Sequence, residues 1–347
     1  MIPFSVLDLV PIIEGGSTAA ALESSLRLAR HAESLQYRRY WVAEHHNMPG
    51  IASAATSVVI AHLAGGTQRI RIGAGGVMLP NHAPLIIAEQ FGTLAALYPD
   101  RIDLGLGRAP GTDQTTVRAL RRDPRAGEYF AQDLQELRSY FGAAAAAEPV
   151  RAIPALDAQL PIWLLGSSLY SAELAARLGL PFAFAAHFAP DGLLPALTLY
   201  RQMFQPSAEL ARPYAMVAVN LIAADTEAAA QRLFTSHQQA FLRLRRGQPG
   251  RLPPPVDNLA SSLTGEDRSL LQQVMRYSFI GSVDTLATQL ATFLRLTSAD
   301  ELMVHVMVYD SVAREHSLTL TATLRDQLSD QLSDRPDASP DPGPAAL

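Results

Sequence analysis

"RIRIGAGGVMLPNHAPLIIAEQFGTLAALYPDRIDLGLGR", residues 69–108, contains two short β-type runs separated by one amphipathic run. The first, 69–79, is rich in branched apolar residues. Pro84 then opens a stretch whose apolar positions recur with helical spacing to 97, and 101–107 alternates Ile102, Leu104 and Leu106 with Asp103, Gly105 and Gly107. Strand, helix and strand in so short a span form a βαβ unit, which requires parallel strands with the helix crossing over one face. The same alternation recurs outward in both directions. Strand-like runs fall at 2–9, 39–45, 161–166, 181–187, 214–224 and 301–308, with helical runs at 18–36, 54–65, 127–142, 168–178, 191–204, 226–246, 282–296 and 312–331. Eight strands predict an α/β fold of the (β/α)8 TIM-barrel type. A doubly wound open sheet is the rival. It would carry a Gly-rich fingerprint after its first strand, and "LVPIIEGGSTAA" (9–20) does not match G-x-G-x-x-G.

Two stretches break the repeat. Residues 247–278 start Pro- and Gly-rich and stand before the last βα unit, which reads as a lid-like excursion. Residues 332–347 have the composition of a disordered tail. The domain prediction is therefore one barrel over 1–331 with that excursion inside it.

Composition removes several chemistries. The chain has 347 residues, no cysteine, and no lysine among its 28 basic residues. That excludes thiolate nucleophiles, Cys-ligated metals, Schiff bases and the Walker lysine. A net charge of −5 gives no basic footprint for nucleic acid. No run reaches the ~18 apolar residues of a membrane span, and no leader precedes the first apolar run, so the sequence predicts a soluble, cytoplasmic protein.

Barrel enzymes place reactive groups at the C-terminal ends of strands. Asp8, Glu44, His45, His46, Asn81 and His82 fall there in the first half of the chain. Arg108, Ser167, Ser168, His187 and Tyr309 fall there in the second. In "WVAEHHNMPGIASAAT" (41–56), alternation turns one of His45 and His46 toward the mouth and leaves open which. No metal is expected: there is neither His-x-His on the first strand nor H-E-x-x-H. The glycine face of 103–107 leaves room for a flat ligand, with Arg108 placed to hold an anion; a bend needing glycine is the other explanation. Ser167, Ser168 and Ser171, between a strand and a helix, supply hydroxyls and helix N-terminal amides for a phosphate, or else a simple N-cap. Paired Gly75 and Gly76 inside a strand mark a bulge or unusual backbone. His305, in mid-strand, is open between core and pocket.

Together, "WVAEHHNMPGIASAAT", the 71–113 block, "PIWLLGSSLYSAELAARLGLPFAFAAHF" (161–188) and "FIGSVDTLATQLATF" (279–293) resemble, in order and spacing, the FMN-using branch of the bacterial luciferase-like flavin-dependent monooxygenases. The resemblance runs from residue 2 to about 320. It implies a barrel that binds reduced FMN, delivered by a separate flavin reductase. The flavin would react with O2 to a C4a-peroxyflavin that oxygenates a small organic substrate. It further implies a homodimer, His45 as the catalytic histidine, Gly75–Gly76 as a non-proline cis peptide beside the flavin ring, and phosphate contacts from Arg108, Ser168 and Ser171, with Ser167 adjoining. Residues 247–278 resemble the loop that closes over the flavin. Asp8, His46, His82, His187 and Tyr309 are the pocket candidates. Gly107 stands where the luciferases have a reactive cysteine and Ser167 where they have an acidic residue, so light emission is not implied. Deazaflavin-dependent hydride transfer and non-catalytic flavin binding are the alternative functions on the same barrel.

Overall fold

The computed structural model describes residues 2–109 and 111–332. Its strands are β1 (Phe4–Asp8), β2 (Arg39–Val42), β3 (Arg71–Ala74), β4 (Val77–Met78), β5 (Ile102–Gly107), β6 (Ile162–Gly166), β7 (Phe182–Phe184), β8 (Ala215–Ala223), β9 (Ser278–Gly281) and β10 (Glu301–His305). Neighbouring strands pair in parallel around a closed ring, β1-β2-β3-β5-β6-β7-β8-β10, and β10 returns to β1 with Phe4 opposite Leu302. Helices surround it, so the (β/α)8 barrel is the observed architecture. β4 resumes the line of β3 beyond Gly75–Gly76, whose peptide is cis, and pairs Val77 with Leu106. β9 pairs with the far half of β8, outside the ring.

All eight strand-like runs are barrel strands, although several end earlier than their apolar runs: β2 stops at Val42 and β7 at Phe184. β9 and the helices Gln114–Ala119 and Gly265–Val274 lie outside the runs marked by periodicity. The last lies within the excursion. Its start was legible, because Thr264 and Asp267 form a reciprocal capping box. The excursion is thus partly helical, and its beginning is stitched to the loop after β1: Leu252 N–H donates to Ile12 O at 2.9 Å and Glu14 N–H to Leu252 O at 2.8 Å. The tail beyond Leu332 lies outside the described residues.

Strand alternation sorts each side chain inward or outward. Outward positions such as Val6, Tyr40, Leu104 and Leu164 meet helix faces such as Ile87, Ala88, Phe91 and Leu94 of Pro84–Leu97, all buried. Each large side chain so covered contributes roughly 1.5–3 kcal/mol. Inward positions fill the barrel in two layers. At the bottom, fully buried Arg39 bridges Asp103 at 2.9 Å and Glu301 at 2.8 Å, while Trp41 Nε1 also donates to Asp103 and Tyr214 to Glu301. Above it, Leu7, Trp41, Trp163 and Met303 make an apolar plug, with the two indoles edge to face at 5.2 Å. The plug closes the lumen and serves as the floor of whatever binds at the C-terminal face.

Asp8 shows how this sorting overrides the rule that strand ends face the mouth. It points outward and is fully buried, accepting from Ser25 Oγ at 2.6 Å, Val10 N at 2.7 Å and Arg314 Nη2 at 2.7 Å. Burial pushes its carboxyl up, but Arg314, Ser25 and Tyr40 outweigh burial and hold it below the usual range. It clamps β1 to the first and last helices, and is not a pocket residue.

Candidate active site

A cavity of about 860 Å3 opens above the plug at the C-terminal ends of the strands, within the ~300–1,000 Å3 typical of ligand sites. His45, Gly75, Gly76, Arg108, Ser167, Ser168 and Ser171 all line it. They come from the ends of β2, β3, β5 and β6, so one side of the mouth gathers the whole set.

The alternation of β2 continues past its last paired residue. Arg39, Trp41, Ala43 and His45 face inward, the last three lining the cavity, while Glu44 is turned away from it. Backbone bonds fix the segment: Gly75 N–H donates to Val42 O at 2.8 Å and Glu44 N–H to Gly76 O at 3.3 Å. His45 Nδ1 lies 3.2 Å from Gly111 O. A carbonyl only accepts, so Nδ1 carries the proton and Nε2 keeps its lone pair. Burial lowers the pKa of His45, keeping it neutral at neutral pH.

His46 and His82, expected as pocket candidates, are instead drawn to Glu44. Each places Nε2 2.9 Å from its carboxylate, and Asn81 and the Met78 N–H add weaker bonds at 3.3 Å. Burial pushes Glu44 up, but bonds from His46 and His82 outweigh it and hold the carboxyl down to about 2. The Glu44 bond in turn raises His46. Both residues therefore brace the loop behind His45, and neither lines the cavity. Among the described residues this is the one group with geometry able to hold a metal ion, its ligand atoms lying within 4.8 Å of one another. An ion there would have to displace the protons now shared with the carboxylate. Tyr309 is likewise no cavity residue; its hydroxyl donates to Glu14 O at 2.9 Å.

Opposite His45, β6 ends in Gly166 and the chain turns through Ser167 into the helix Leu169–Leu178. Ser168 is its N-cap but makes no side-chain cap bond, which leaves a hydroxyl and the first-turn amides uncommitted to each other. Ser171 in the first turn is buried. Arg108 leans over the Tyr170 ring at 4.3 Å, and among the described residues no carboxylate pairs with it. A cation, a helix N-terminus and hydroxyls around one concavity are the donor set that an anion cradle requires. The glycine face of β5 is only partly free. A Cβ on Gly105 would run into Ala74 O and meet Leu165 Cδ1 at 2.7 Å, so the neighbouring strands take that space; Gly107, higher up, does line the cavity.

The other side of the mouth is built by β7, β8 and β10. His187 lines the cavity as expected, joined by His305 from β10. His237 was missed, because it comes from a helix, Glu227–Arg245, not from a strand end. Its signal is periodic: His237, Ala240, Phe241, Leu244 and Arg245 recur at helical spacing and all line the cavity. Burial pushes His187 down to about 3 and His237 to about 4, and lowers His305 as well. Pro249, Gly250, Leu252 and Val274 of the excursion complete the wall.

Comparison with known proteins converges on one family. The model of the family described as luciferase-like monooxygenase matches residues 2–300. A protein named luciferase-like monooxygenase from Escherichia coli (strain K12) is 54% identical over 326 residues, covering 94% of this chain and 97% of that one. The N-acetyl-S-alkylcysteine monooxygenase of Bacillus subtilis (strain 168) is 42% identical over 190 residues, 53% of this chain and 57% of the relative. Among solved structures, apo-MsnO8 superposes with a TM-score of 0.86 at 35% identity, covering 94% of this chain and 99% of that one.

Proposed function

This chain belongs to the luciferase-like monooxygenase family, and from that premise we propose that it is an FMN-dependent monooxygenase, taking reduced FMN from a separate reductase and oxygenating a small organic substrate with O2. The observation that carries the reading is the pairing, in one cavity, of the anion cradle formed by Arg108, Ser168, Ser171 and the helix Leu169–Leu178 with the neutral imidazole of His45.

The residues fit the cofactor. Arg108 has no competing carboxylate among the described residues, and Ser168 has a hydroxyl not spent on its own helix, so a phosphate would find both charge and donors. Gly75, Gly76 and Gly107 present bare backbone to a flat ring between the cradle and His45. When bound, reduced FMN supplies the two electrons that let one atom of O2 enter the substrate while the other leaves as water.

The chain's own part is to bind, shelter and handle protons. His45 is held with Nδ1–H on the Gly111 carbonyl, so Nε2 is the nitrogen that accepts a proton or donates it back. Its lowered pKa keeps that lone pair available at neutral pH. The apolar floor and the excursion residues Leu252 and Val274 exclude water, which protects a reduced, oxygen-reactive site from wasteful hydrolysis and proton leakage. We include in the proposal that 247–278 acts as the lid and that the enzyme works as a homodimer. Among the described residues no helix is long and apolar enough to cross a membrane.

The test is reconstitution with an NADH:FMN reductase under 18O2, screening thioethers, ketones and amines for a product with one labelled oxygen. Parallel titrations compare FMN with the deazaflavin. Labelled product and tighter FMN binding are expected; preferential deazaflavin binding, or product without label, would overturn the reading.

A further inference from the structure

The wall of the cavity away from the cradle has a defined donor and acceptor pattern. Asn220, on β8, donates through Nδ2 to the His187 carbonyl at 2.7 Å and to Ser278 Oγ at 3.0 Å. A carbonyl only accepts, so the amide nitrogen must face that way, and Oδ1 must face His305 Nδ1, 2.9 Å off. Oδ1 only accepts, so the proton of neutral His305 sits on Nδ1. Its Nε2 is left as a bare acceptor, and no protein group among the described residues meets it. His305 is 2% exposed and lines the cavity. The rings of His187 and His237 pack around it, each centroid 5.3 Å away, and His187 Nδ1 is similarly without a partner. The remaining surface here is apolar, from Ala218, Phe188, Phe241 and Leu244.

A buried acceptor without a donor is costly, and the cost is relieved when a ligand brings one. At His305 Nε2 an anion would meet a lone pair instead of an N–H and would be repelled there. We propose that the wall of His187, His237 and His305 is the substrate-recognition surface, and that it selects an uncharged organic molecule whose apolar body carries a hydroxyl or amide N–H that donates to His305 Nε2. Asn220 is its positioning residue, fixing which nitrogen is bare. The inference rests on the proposed flavin position only for which half of the cavity is left to the substrate.

The full chain, with and without FMN, is titrated with benzyl alcohol, benzyl methyl ether and benzoate, while side-chain 15N resonances of labelled histidine are recorded. Benzyl alcohol should bind at least about tenfold more tightly than the ether, about 1.4 kcal/mol, and should move the unprotonated nitrogen signal of His305. Benzoate should bind most weakly. His305→Phe should bring the alcohol-to-ether ratio to one while FMN still quenches normally on binding. In Asn220→Asp a carboxylate beside Nδ1 favours the imidazolium, turning Nε2 into a donor and the ranking toward benzoate. Equal affinity for alcohol and ether, a stationary His305 signal, or no binding by any probe overturns the proposal. FMN quenching is read separately: discrimination without FMN binding supports the wall and counts against the flavin reading, whereas FMN binding without discrimination counts against the wall alone.

Discussion

Replacing Glu44 by Gln tests the brace behind the candidate catalytic histidine. The substitution keeps the shape, but the amide NH2 now faces an imidazole N–H from His46 or His82, where two donors meet without an acceptor. Glu44 is held at about 2 against an ordinary 4.5. At about 1.4 kcal/mol per unit, that displacement corresponds to roughly 3 kcal/mol of folded-state stability lost in the variant. The sign follows from each group. A depressed carboxyl contributes fully above its unfolded value and loses the contribution as pH falls from 4.5 toward 2. His46, raised above 6.5, contributes below that value and loses it as pH rises through its folded pKa. The gap between wild type and Glu44→Gln should therefore be widest between these limits and narrow on both sides. Urea denaturation followed by the fluorescence of the two tryptophans, both buried in the barrel, measures it across that range. Equal stabilities at pH 6, or a gap that ignores pH, would refute the assignment of Glu44 as an ionised anchor.

Three further outcomes are expected. Arg108→Ala should weaken FMN binding by about 2 kcal/mol, roughly thirtyfold, and flatten its salt dependence, as fluorescence titration would show. His45→Ala should leave FMN affinity within a few-fold while cutting labelled-product formation by a factor of about 100 or more, measured by mass spectrometry under 18O2. Asp8→Ala leaves Arg314 buried without its partner and should cost about 3–5 kcal/mol in urea denaturation, yet leave the FMN affinity of the folded protein unchanged.

Much of the fold was readable because a parallel barrel imposes two periodicities, and both survive in the residues. Ile102, Leu104 and Leu106 alternate on β5, and Ile87, Phe91 and Leu94 recur on the helix before it. That Arg108, Ser168 and Ser171 would line one cavity was readable for a related reason: they follow closely on β5 and β6, where the fold leaves little freedom. Asp8, His46, His82 and Tyr309 were misplaced because lying at a strand end fixes a residue's height on the barrel, whereas facing the cavity depends on alternation and on partners distant in sequence. Asp8 turned outward to Arg314, 306 residues away. His46 and His82 turned to the buried carboxylate of Glu44, two residues from the first and 38 from the second, and only alternation decides that it faces away from the cavity. His237 was hidden because a helix after β8 bends its apolar face over the mouth, and Asn220 because its role exists only through His187 and His305.

In the proposed enzyme one cavity holds FMN by its phosphate on the cradle and presents the ring to His45. A crystal structure of the full chain soaked with FMN measures this directly. The phosphate should lie within hydrogen-bond distance of Arg108, Ser168 and the first amides of Leu169–Leu178, the ring against Gly75–Gly76, and the His187–His305 wall should be left open to substrate. A phosphate bound elsewhere, or a ring seated on the histidine wall, would contradict it.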